Sequence, residues 1–132
     1  MNTILLICTL LLTPSCARGL STEGVPSSIC GLDQALIEQG TRMRVRAIFS
    51  PTSMHGDYLR DQACPEVRIQ TYGYEQARGG LSGEFKRELD SKALEISNVE
   101  YEIDVSGVIE RDGDGLWFRA LSVHSYSGLA SN

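Results

Sequence analysis

The sequence runs to 132 residues, 42% of them apolar and 22% charged, with a formal net charge of −5. A chain of that size suits one domain with a core of its own. The acidic balance disfavours a nucleic-acid partner, because affinity for phosphate backbones rests on clustered Lys and Arg.

Residues 1–17 read MNTILLICTLLLTPSCA, with an apolar run from Ile4 to Leu12 and no charged side chain. At about 1.5 Å per residue, that run is too short for a hydrocarbon core roughly 30 Å thick. It fits the apolar segment of a secretory signal peptide, although the usual Lys or Arg near the start is missing. Two exits follow. Ser15 and Ala17 supply the small residues of an ordinary cleavage site, whereas Cys16 resembles the lipidated cysteine of bacterial lipoproteins. Thr13 and Pro14 suit the second pattern poorly, so plain export to the periplasm or medium is favoured over a lipid anchor at Cys16. No later segment reads as a membrane span. Residues 18–27 read as a disordered linker, 28–127 as the domain and 128–132 as a tail.

SSICGLDQALIEQG carries Ile29, Leu32, Ala35 and Leu36 at helical spacing, with serines before it and Gly40 after it, which predicts a short leading helix. TRMRVRAIF alternates strictly, setting Met43, Val45, Ala47 and Phe49 against Arg42, Arg44 and Arg46, the pattern of a half-buried strand. DYLRDQA reads as a second strand ending at Cys64, and VRIQTY as a third with Val67 and Ile69 inward. GYEQARGGLSG is expected to be a mobile loop. SGEFKRELDSKALE predicts a helix with Phe85, Leu89 and Ala93 on one stripe. VEYEIDVSGVIER predicts the longest strand, with Val99, Tyr101, Ile103 and Val105 inward and a bulge or bend at Gly107. LWFRALSVHSY predicts the last strand, its alternation slipping near Ala120.

Between the last two strands stands ERDGDGLWF. Asp112-Gly113 and Asp114-Gly115 are hairpin-turn dipeptides, whereas a calcium loop would continue with further oxygen ligands. Leu116, Trp117 and Phe118 follow instead, so a turn is expected. Cys30 and Cys64 are expected to form a disulfide, because an exported chain with two such cysteines joins them. The competing reading is a metal pair with His55 or His124, but the spacing matches no zinc signature. No metal and no cofactor is expected.

Three strands, a helix and two strands joined by a tight turn resemble the OB-fold, a five-stranded Greek-key barrel. The resemblance covers Thr41 to Tyr126. GTRMRVRAIFS followed by YLRDQACP is similar to the start of small exported bacterial OB-like proteins, and IDVSGVIERDGDGLWFRALSV to their closing hairpin. It implies a mainly β chain: an OB-like barrel with a short leading helix and a helix between strands three and four. OB-folds bind oligonucleotides, oligosaccharides or proteins through strands two and three and the adjoining loops. By that analogy Tyr58, Arg60, Arg68, Tyr72 and Tyr74 are the candidate ligand-binding residues. The resemblance also makes the first and fourth strands neighbours, so Arg42, Arg44 and Arg46 should face Glu100, Glu102 and Asp104 as cross-strand ion pairs.

No Ser, Cys or Lys stands in a recognisable nucleophile motif, and His55 beside Asp57 reads as a solvated loop pair, so no catalytic residue is expected. The favoured expectation is a monomeric, non-enzymatic exported domain that binds a cell-envelope protein or glycan. An inhibitor or interaction module contacting through Gly73 to Gly83 is the alternative. Single-stranded nucleic-acid binding is weaker still, and a membrane enters only through Cys16.

Overall fold

The computed structural model describes residues 24–51, 56–93, 99–113 and 115–129. Its strands are β1 (Ser27–Ser28), β2 (Arg42–Ser50), β3 (Asp57–Arg60), β4 (Arg68–Tyr72), β5 (Glu100–Asp112) and β6 (Gly115–Leu129), with one α-helix, α1 (Ser82–Lys92). β2 pairs antiparallel with β3 and with β5, β3 antiparallel with β4, β4 parallel with β6, and β6 antiparallel with β5. β2 to β6 therefore close into a five-stranded barrel compatible with an OB-like fold. A simple meander would have kept β2 and β5 apart.

The period-two alternation of β2 carries Met43, Val45, Ala47 and Phe49 into the barrel, where they meet Leu59, Ile69, Ile103, Val105 and Phe118. α1 supplies Phe85, fully buried among the rings of Phe49, Tyr74, Tyr101 and Tyr126 at centroid distances of 5.4, 5.6, 5.4 and 5.0 Å. Such edge and tilted aromatic contacts add to area burial. Farther along the expected stripe, Leu89 is half-buried and Ala93 exposed. Ser82 Oγ ties the helix start to β6 by accepting from the Val123 amide at 2.8 Å and donating to the Gly79 carbonyl at 2.7 Å.

Several expectations are corrected. The leading helix reduces to a 3-10 turn, Ile29–Gly31, and Leu36 is 77% exposed. The carbonyls that a helix would use are taken elsewhere. Arg111 donates to Gln34 O at 2.6 Å and to Ile37 O at 2.7 Å, and Asp33 Oδ1 captures the Ala35 amide at 3.0 Å. Local side-chain bonds of this kind compete directly with helix formation. The end of the linker joins the sheet, since Ser27 and Ser28 pair in parallel with Val45 and Arg46. The start of the tail belongs to β6, with Gly128 opposite Tyr101 and Leu129 opposite Glu100. β6, not β5, is the longest strand. The stretch expected to be a mobile loop is laced to β6: Arg78 and Leu81 amides donate to Leu121 and Val123 carbonyls at 2.9 and 2.7 Å, and Gly80 bridges Val123.

The β5–β6 register skips Leu121 and His124, so the last strand does slip just beyond Ala120. Gly107 lies at this irregularity, and a Cβ there would collide with the Phe118 ring and the Arg119 carbonyl. Asp112 pairs with Gly115 across the hairpin, and Gly113 has φ +59°, which suits glycine. Asp114 lies outside the described residues.

The charged rows meet in an offset way. Arg46 stands opposite Asp104, but Arg44 faces Ser106, Glu102 faces Ile48 and Arg42 faces Val108. Asp104, only 4% exposed, takes two arginines: Arg44 Nε and Nη2 at 2.7 and 2.9 Å, and Arg46 Nη2 at 3.7 Å. Glu100 instead binds Arg60 of β3 at 2.7 Å and accepts from Ser50. The hydrogen bonds from Arg44 hold the Asp104 carboxyl below its ordinary range, against the opposing effect of burial.

The Cys30–Cys64 disulfide, with α-carbons 5.7 Å apart, fastens the N-terminal segment to the turn after β3. Ser28 Oγ donates to Asp61 Oδ2 at 2.8 Å beside it.

Reducing the disulfide, or replacing Cys30 and Cys64 by serine, should lower unfolding free energy by about 3–4 kcal/mol on loop-closure grounds, read as a fall in denaturant midpoint. Because the folded pKa of Asp104 is depressed, its contribution is complete above the unfolded carboxyl value of about 4 and is lost as pH falls through the folded value. Asp104→Asn should therefore be less stable at neutral pH, with a flatter acid limb in a stability–pH profile.

Candidate ligand-binding face

β4 alternates Arg68, Gln70 and Tyr72 outward with Ile69 and Thr71 buried. Its parallel neighbour β6 turns Phe118 into the core and leaves Trp117 half-buried on the outside. Tyr58 pairs with Gln70, Gln70 with Trp117, and Trp117 with Glu110, so one row of outward side chains crosses β3, β4, β6 and β5. Arg60 opposite Arg68, and Tyr72 opposite Arg119, lie on either side of that row.

Within this face the side chains are mutually fixed. The Arg68 guanidinium carbon sits 4.9 Å from the Tyr58 ring centre, a cation–π geometry. Tyr72, 41% exposed, meets Trp117 edge-on at 6.0 Å and donates its hydroxyl to Glu110. Arg119 Nε donates to the same carboxylate at 2.6 Å. Gly115 leaves room for the indole, since a Cβ there would come within 3.2 Å of Trp117 Nε1. Hydrogen bonds from Tyr72 and Arg119 hold the Glu110 carboxyl below its ordinary range, and the Tyr72 phenol is raised by donating to that anion.

Of the five expected ligand-binding residues, Tyr58, Arg68 and Tyr72 come together here. Arg60 points to the same side but is engaged by Glu100 at 2.7 Å. Tyr74 is corrected: it is 5% exposed, packs on Phe49 and Phe85, and shares a 2.8 Å hydrogen bond with Thr71. Its position just past the end of β4 breaks the alternation that placed it outward, and burial drives its phenol well above the ordinary value. Gln70, Trp117, Glu110 and Arg119 were missed. Trp117 and Phe118, adjacent on β6, face opposite sides, and only the non-local β4–β6 pairing brings Trp117 beside Tyr72.

Other candidates do not assemble. His124 Nε2 shares a 2.7 Å hydrogen bond with Ser106 Oγ near Asp104, whose two oxygens both accept from Arg44. Cys16 and His55 lie outside the described residues, and among those described no group of three His, Cys, Asp or Glu could hold a metal ion. An open depression of about 230 Å3 beside Arg46, Asp61 and Glu102 contains no aromatic side chain. Comparison with protein-family models, curated proteins and solved structures finds no match.

In a spectrophotometric titration, one tyrosine absent from Tyr72→Phe should ionise above the ordinary phenol value near 10. Glu110→Gln should move that ionisation back down, because the raising anion is removed.

Proposed function

We propose that this chain is an exported, non-enzymatic binding module whose β3–β4–β6 face holds a cell-envelope ligand, a glycan or a protein segment. The observation that carries this reading is the single outward surface formed by Tyr58, Arg68, Gln70, Tyr72 and Trp117 on three adjacent strands. Rings and guanidinium groups whose orientations are already fixed lose little entropy on binding, which favours recognition over mere surface cover. It coincides with the region that the OB-like topology associates with ligands.

Export is supported by the apolar segment from Ile4 to Leu12 and by the Cys30–Cys64 disulfide, which suits an oxidising compartment. Among the described residues no helix is long and apolar enough to cross a membrane. On this reading the chain is similar to small exported bacterial OB-like proteins, with a signal peptide removed after Ala17 or a lipid at Cys16. An inhibitor contacting through residues 73–83 is the weaker alternative, because that segment spends backbone donors on β6.

The test is direct binding of the mature protein to arrayed envelope glycans and to solubilised envelope proteins. Trp117→Ala should weaken binding roughly ten-fold or more, taking stacking at about 1–3 kcal/mol per ring as the guide. Retained affinity in this variant, with an unchanged melting temperature, would remove the face from consideration.

A further inference from the structure

Resting on the binding face proposed above, we infer that its ligand is a glycan that bears carboxylates, with one carboxylate held by Arg68. Arg60 and Arg68 stand directly opposite each other on β3 and β4. Like charges in that position destabilise a sheet unless each is compensated. Glu100 compensates Arg60, with Nε and Nη2 at 2.8 and 2.7 Å from the same oxygen. Among the described residues no carboxylate reaches Arg68, which is exposed and lies over Tyr58. A guanidinium held over a ring keeps its planar fork of donors, and that fork matches a carboxylate in bidentate fashion. The fold thus places two opposed cations at this end of the face and supplies one acid there.

Sheet pairing then separates a sugar from a peptide. Where the face is formed, β3 lies between β2 and β4, β4 between β3 and β6, and β6 between β4 and β5. Along the row Tyr58–Gln70–Trp117 each strand is paired on both sides, which leaves no edge at that row for an added peptide strand, whose affinity would come from main-chain hydrogen bonds. A ligand must instead lie across the side chains. Tyr58 and Trp117 flank Gln70 on the two neighbouring strands, hence about 9.5 Å apart at two strand spacings. That distance spans two rings of an extended β-linked sugar chain, and the exposed Gln70 amide between them offers both a donor and an acceptor for hydroxyls. Glu110 at the far end is already met by Arg119 and Tyr72, so the uncompensated positive charge is confined to the Arg68 end. The chain's net charge of −5 opposes a densely charged polymer and suits a sugar chain with spaced carboxylates.

The test uses the mature protein and matched pairs of oligosaccharides, each a neutral β-linked oligomer and the same backbone with its primary alcohols oxidised to carboxylates. The acidic member of a bound pair should bind at least about ten-fold tighter, equivalent to about 1.4 kcal/mol. The difference should shrink at high salt, vanish in Arg68→Gln and survive in part in Arg68→Lys, while Trp117→Ala weakens both members. Equal binding of neutral and acidic members, or a preference that persists in Arg68→Gln, overturns the carboxylate assignment and leaves the binding face standing. Failure to bind any glycan, alongside Trp117-dependent binding of an envelope protein, also overturns it while sparing the face. Failure with both ligand classes overturns the face as well.

Discussion

β2 uses both of its edges. Along one it pairs with β5 from Arg42 to Phe49, and along the other with β3 and, where β3 ends, with the short β1. Closing the sheet in this way removes free edges and forces the inward side chains into one packed interior, with Phe49 meeting Tyr74, Phe85 and Tyr101. The outward surface follows from the same closure. Walking from Ser50 through Tyr58, Gln70 and Trp117 returns to β5 at Glu110, far from the Glu100 that receives the Ser50 hydroxyl. That shear places two different acids of one strand at the two ends of the candidate face.

Charge is distributed in keeping with this geometry. Asp104 is buried because two arginines of β2 cover it, and the bidentate contact with Arg44 offsets the cost of burying a carboxylate. Glu100 and Glu110 settle Arg60 and Arg119 respectively. These pairs fix which arginines are structural. On this face, among the described residues, Arg68 over the Tyr58 ring has no such acid, and surface ion pairs contribute little individually but decide where uncompensated charge remains.

The N-terminal segment shows how tertiary contacts override local pattern. Its apolar spacing is helical, but a helix needs its carbonyls, and Arg111 from the far end of β5 takes two of them. The disulfide and the Ser28–Asp61 bond hold the same segment against the turn after β3. The polar stretch after β4 behaves in the opposite sense: its glycines lack apolar content, yet Gly80 must approach the Val123 carbonyl closely, and a side chain there would not fit.

Features that depend on neighbours along the chain are readable from residue order alone. Period two in β2 and β4, the Asp-Gly turn, the Phe85 stripe and the pairing of Cys30 with Cys64 are all local or compositional signals. The candidate face was legible only in part: alternation exposed Tyr58, Arg68 and Tyr72, but it also placed Tyr74 outward, two positions beyond the strand that justified the alternation. Trp117 could be assigned to the opposite side from Phe118, yet its neighbours could not be known. The β4–β6 pairing joins residues far apart in sequence, and register there depends on barrel closure. A shift of one residue would reverse every side chain on β6. Only the closed barrel decides that register, and with it which rings and charges share a surface.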